Sequence, residues 1–190
     1  MNLLMTKIEA TYDFSDYELK VIRYVITALI YDLSKLILLG LFFYFIGRLP
    51  YFLCALIPFF LLRTKNGGIH TKSYWSCLLL TFLVFILTVI LLPEFVPLCS
   101  IARLCLMLPC ACVEYLLGPQ LSHREVKLDE RGKKKNRIAS FQVVLLIAIL
   151  MFLLPENSCL LASFWMVILH TVQLAITKTY KEVKVNENAI

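Results

Sequence analysis

The sequence predicts an all-α integral membrane protein with about six transmembrane helices and an N-terminal amphipathic segment. Three observations carry this reading. Hydrophobic side chains make up 60% of the 190 residues, against about 45–50% in soluble domains. Six apolar runs, at 29–46, 47–62, 74–92, 98–117, 138–154 and 159–176, each approach the roughly 17–25 residues that a spanning helix needs. Finally, sixteen of the nineteen Lys and Arg residues fall in alternate connections: the N-terminal segment, the second loop, the fourth loop and the tail. By the positive-inside rule both termini and those loops face the cytoplasm.

Taken in order, residues 1–28 are mixed in character. Ser15 followed by Glu18 is a capping-box signature for a helix starting near Asp16. An unbroken helix from there to Ile46 would be about 46 Å long, more than a ~30 Å hydrocarbon core accommodates. Its first part is therefore expected outside the bilayer, either as an interfacial amphipathic segment with Leu19, Ile22, Arg23, Ile26 and Leu29 at helical spacing or as a plain extension of the first helix. Nothing in this stretch reads as a removable signal peptide. Gly47-Arg48-Leu49-Pro50 leaves room only for a tight helical hairpin. The second run is the weakest span, because its clean core is 49–62 and it carries Pro50 and Pro58. Pro93, Pro97, Pro155 and Asn157 mark outer turns, and Gly118-Pro119 ends the fourth span. The expected layout is one membrane domain over 1–190, with an entrance loop at 63–73, a basic cytoplasmic loop at 119–137 and a cytoplasmic tail at 177–190.

Several function classes drop out. The net charge of +6 sits in short loops without an aromatic platform, which disfavours nucleic-acid binding and fits topology and attraction to anionic headgroups. Seven cysteines, an odd number with no CxxC spacing, argue against a disulfide framework and a zinc site, so neither metal nor cofactor is expected. Within the spans, Asp32, Lys35, Arg103, Glu114 and His170 are costly unless paired or facing a cavity. Asp32 and Lys35 stand i,i+3 and can satisfy each other. Arg103 and Glu114 are about 16 Å apart along a helix and cannot pair within it, and His170 reads as an interhelical hydrogen-bond donor. Asp32, Lys35, Arg103 and Glu114 also motivate an alternative reading as a small exporter or ion carrier.

The stretch 63-RTKNGGIHTKSYWSC-77 holds the parts of a nucleophilic site. On a regular helix His70 and Cys77 would be about 10.5 Å apart along the axis, too far for proton transfer. Gly67 and Gly68 let the backbone leave regularity just before His70. Arg63, Lys65 and Lys72 supply the positive environment that a thiolate needs. The blander possibility has His70 contacting headgroups and Cys77 packing in a helix.

Arg63, Gly67-Gly68, His70 and Cys77 at the entrance of a span, the Gly118-Pro119 exit and the basic Lys133, Lys134 and Lys135 together resemble the accessory gene regulator protein B (AgrB) family. These are membrane cysteine endopeptidases that mature pro-peptides of quorum-sensing signals in Gram-positive bacteria. The resemblance implies Cys77 as nucleophile and His70 as its base, with Arg63, Gly67, Gly68 and Lys72 in support. It maps the family's lysine triplet onto Lys133–Lys135, for which topogenic charge is an equally good account. It further implies a multi-pass protein of the bacterial cell membrane, a homodimer, and a pro-peptide substrate with an amphipathic leader, a core containing Cys or Ser, and an acidic C-terminal tail.

Overall fold

The computed structural model describes residues 16–68, 73–120 and 129–187. Among these every regular element is helical: α1 (Asp16–Phe45), α2 (Leu49–Asn66), α3 (Tyr74–Ile86), a π-helical turn (Leu87–Leu91), α4 (Leu92–Phe95), α5 (Ser100–Leu117), α6 (Glu130–Leu153) and α7 (Ser158–Glu187). The chain divides into a smaller unit ending at Phe42 and a larger one from Phe43 onward.

In the smaller unit α1 starts at Asp16, as the sequence predicts, and runs on with no break in its helical pattern; Ser15 lies outside the described residues. Lys35 Nζ meets Asp32 Oδ1 at 2.9 Å, so this pair of charges answers itself one turn apart.

The larger unit opens with a tight turn at Gly47-Arg48. Gly47 adopts φ +70°, its N–H donates to Tyr44 O at 3.0 Å, and the Arg48 N–H donates to Phe43 O at 2.8 Å. This is a Schellman ending, and the left-handed step it needs explains the glycine. Arg48 then pairs with Glu94 at the far end of the α3–α4 segment. Beneath that pair, Phe43 stacks on Phe52 with centroids 5.0 Å apart, and Phe85 meets Phe52 at 4.8 Å.

Prolines inside helices are tolerated by local repair. Pro58 has no N–H, so the carbonyl four residues back, that of Cys54, loses its helical donor. Ser163 Oγ on α7 donates to that carbonyl at 2.8 Å, the kind of substitution that apolar surroundings demand. Pro93 does not end its helix as the sequence suggests. The π-turn resets the ladder so that Pro93 falls in the first turn of α4, where a missing N–H costs nothing. Asn157 Oδ1 caps α7 by accepting from the Cys159 and Leu160 N–H groups at 2.9 and 3.2 Å.

Four helical stretches among the described residues are long and apolar enough to cross a membrane: Tyr74–Phe95, Ser100–Leu117, Glu130–Leu153 and Ser158–Thr179. The sequence expectation of about six is thus met for four. For α2 the reason is plain: its last turn is Arg63-Thr64-Lys65-Asn66, which leaves about 21 Å of apolar helix. Within the larger unit helix α7 lies at the centre, with Phe164, Met166, Val167 and Leu174 fully buried, while Leu108 on α5 and Phe152 on α6 stand about 70% exposed. In water such an outer surface would be a liability; against acyl chains it is the expected one.

The basic region also differs from the expected loop. Asp129 caps α6 by accepting from the Glu130 N–H at 2.8 Å, so Lys133, Lys134 and Lys135 sit on the first turns of a helix. Lys and Arg are good helix formers, and an acidic start suits the helix dipole. The predicted tail is likewise helical as far as Glu187.

Candidate functional site

The RTKNGG stretch straddles the end of α2. Arg63 lies in the last turn and places its guanidinium 5.2 Å from the centre of the Phe59 ring. Gly67 closes the helix with φ +80° and ψ −156°, a region essentially reserved for glycine, and its N–H donates to Arg63 O at 3.0 Å. The break in regularity expected of the glycine pair therefore falls on Gly67. Gly68 keeps an ordinary φ, and a Cβ there would meet only Arg63 Cγ at 3.9 Å. His70 and Lys72 lie outside the described residues. Cys77 occupies the first turn of α3, 8% exposed; its N–H donates to Ser73 O at 3.1 Å and its carbonyl accepts from Thr81 Oγ1 at 2.8 Å. Lys133 pairs with Glu130 at 2.6 Å, while Lys134 and Lys135 line a shallow depression of about 360 Å³ with Arg131, Ile138 and Gln142.

Directly behind Gly67 stands a buried polar network that the sequence reading did not assemble. Asn66 Nδ2 donates to Glu114 Oε2 at 2.6 Å and to the Glu114 carbonyl at 3.1 Å. Glu114 Oε1 is 2.8 Å from His170 Nδ1 and accepts from Thr171 Oγ1 at 3.0 Å. His170 Nε2 is 3.1 Å from the Gly67 carbonyl. All four side chains are buried, Glu114 completely. Two further bonds tie in the neighbouring segments: the Gln120 N–H donates to Asn66 O at 2.8 Å, and Arg137 Nε donates to Gly118 O at 2.7 Å. The ends of α2 and α5, the start of α6 and the middle of α7 thus converge here.

The hydrogen-bond partners limit where the hydrogens of the network can sit. A carbonyl can only accept, so His170 Nε2 carries a hydrogen. The contact between Nδ1 and Glu114 Oε1 then holds one proton, on the carboxyl or on the ring, and either form is neutral as a pair. That neutrality makes burial tolerable. Glu114 and His170 each announced a need for a partner in the sequence; Asn66 gave no signal, and separations of 48 and 56 residues hide the match. Arg103, the other isolated charge, donates to Ser100 Oγ one turn back at 3.2 Å.

Gly118 completes the packing, since a Cβ built there would stand 2.2 Å from Asn66 Oδ1. Asn66 is pinned and has no room to retreat. Gly118→Ala is expected to destabilise the protein by about 1–3 kcal/mol, read as a lowered thermal unfolding midpoint in detergent; an unchanged midpoint would contradict the close approach.

The sequence profile of the family described as Accessory gene regulator B matches residues 1–174. A protein of Clostridium beijerinckii described as AgrB-like is 28% identical over 153 residues, covering 80% of this chain and 75% of the relative. No solved structure matches the chain.

Proposed function

Because the chain belongs to the accessory gene regulator B family, we propose that it is a membrane cysteine endopeptidase that removes the C-terminal tail of a quorum-sensing pro-peptide. Family membership ties the protein to the accessory gene regulator system, and its apolar helices make it a membrane protein. The observation that carries the finer reading is that no single helix leads from α2 through Cys77: Gly67 ends α2 in a glycine-only conformation, and α3 begins only at Tyr74, after an extended Ser73, the interruption that a dyad between His70 and Cys77 requires.

In this reading Cys77 Sγ attacks the carbonyl at the junction of core and tail while His70 takes the thiol proton. The C–N bond breaks, His70 returns the proton to the leaving amine, and the tail departs. The leader and core stay on Cys77 as a thioester. A Cys or Ser side chain of the core then attacks that thioester, regenerating the thiol and releasing a cyclic thiolactone or lactone. An amphipathic leader lying in the headgroup plane would deliver the scissile bond to the depth of the site. Arg63, Lys65, Lys72 and Lys133–Lys135 would draw an acidic tail. Both termini are assigned to the cytoplasm and the active form to a homodimer.

The export alternative rested on isolated charges within the spans. Asp32 with Lys35 and Glu114 with His170 now have partners inside the protein, which removes most of its motive.

The thioester is the test. Protein in liposomes, given a synthetic peptide with an amphipathic start, an acidic end and alanine in place of the core cysteine so that cyclisation cannot discharge the enzyme, is expected to gain the mass of leader plus core on Cys77, and neutral hydroxylamine is expected to remove it. Tail release without any adduct on Cys77 would overturn the mechanism.

A further inference from the structure

We propose that Glu114 and His170 are positioning residues for this peptidase: they hold the Gly67 carbonyl and so set the direction in which the chain leaves α2 toward His70. The proposal rests on the reading of His70 and Cys77 as a dyad.

A glycine pair is the least constrained backbone a protein can place before a catalytic side chain. Gly67 has left the helical ladder, so its carbonyl has no partner within α2, and the Nε2–H of His170 supplies one at 3.1 Å. The ring is itself aimed from behind, because Glu114 Oε1 fixes Nδ1 at 2.8 Å. Glu114 is held in turn by Asn66 Nδ2 at 2.6 Å and Thr171 Oγ1 at 3.0 Å. Asn66, immediately before Gly67, is fixed again through its own carbonyl by the Gln120 N–H. Two successive peptide units are therefore clamped from two other segments, α7 and the stretch that follows α5. His70 is three residues further along the sequence.

Helix packing alone does not call for such a group. The neighbouring core of α5, α6 and α7 is built from Met107, Val144, Ile147 and Phe164, and apolar residues would hold the same helices together without desolvating a carboxyl, an imidazole and an amide. What the polar group adds is a fixed direction for one backbone carbonyl. A displacement of about 1 Å at a reacting group can cost about 100-fold in rate, so this direction matters for a general base.

The test reads Cys77 directly and needs no substrate. In liposomes of phosphatidylglycerol and phosphatidylethanolamine at one neutral pH, the rate of Cys77 alkylation by iodoacetamide is followed by mass spectrometry. The acceleration due to His70 is the ratio of the wild-type rate to that of His70→Ala. His170→Ala and His170→Asn, neither of which reaches Gly67 O, are expected to slow alkylation about 10- to 100-fold, to the His70→Ala rate. His170→Gln, whose amide nitrogen overlays Nε2, is expected to restore most of it. Adding His170→Ala to His70→Ala should change nothing further. Wild-type rates in His170→Ala and His170→Asn, with His70→Ala slowed, would overturn the clamp. So would an equal slowing by His170→Ala with and without His70, the mark of a merely structural role, or a full loss shared by His170→Gln. A His70→Ala rate equal to wild type would instead overturn the dyad on which the clamp rests.

Discussion

Replacing Cys77 by alanine is expected to lower tail release from a cognate pro-peptide by at least about 10⁴-fold, because removing the nucleophile removes the covalent route altogether. His70→Ala is expected to cost less, about 10²- to 10⁴-fold, the usual size of a general acid–base contribution. The gap between them is informative, since a thiolate formed without His70 can still react slowly, whereas no group can stand in for the sulfur. Arg63→Ala should fall well short of both. Its guanidinium lies over Phe59, and part of its loss would appear as altered packing. The measurement is the initial rate of tail release in proteoliposomes at matched protein content. Release by Cys77→Ala within tenfold of wild type would end the assignment of Cys77, however well the family pattern fits.

The largest expected effect on stability belongs to Glu114. Replacing it with alanine leaves His170 Nδ1, Asn66 Nδ2 and Thr171 Oγ1 facing a fully buried void. Removing one partner of a buried pair in this way costs about 3–5 kcal/mol. Glu114→Gln should cost only about 1 kcal/mol, because its amide can donate to a neutral ring nitrogen and accept from Asn66 at once. Unfolding in mixed micelles separates the two: alanine and glutamine variants of equal stability would mean that the network is not held by hydrogen bonds.

Much of this fold is legible in the sequence, and the reasons differ from element to element. Membrane class follows from composition, which needs no geometry. The turn at Gly47 is legible because one left-handed step can be met cheaply only by glycine. Four spans stand out by length and apolarity; α2 does not, because its polar last turn spends helix length on the entrance to the site. Pro93 misled because a π-turn shifts the ladder by one residue, and single-residue shifts leave no periodic trace. Lys133–Lys135 read as loop because charge density dominates the stretch, while Asp129 supplies the helix start. Of the candidate site, the late start of α3 at Tyr74, after an extended Ser73, could be foreseen from the distance that a straight helix would impose between His70 and Cys77. The network behind Gly67 could not. Hydrogen bonds between Asn66, Glu114 and His170 join helices whose order in space is decided by packing.

The repair of Pro58 reaches beyond this one chain. A hydroxyl on α7 and a carbonyl on α2, 109 positions apart, are coupled only because residue 58 cannot donate. In a relative with an ordinary residue at 58 the helix closes its own ladder and position 163 is free to drift; in one that keeps the proline it is not. The two sites should therefore be inherited as a unit, and an exchange of α2 between relatives would succeed or fail on whether α7 travels with it.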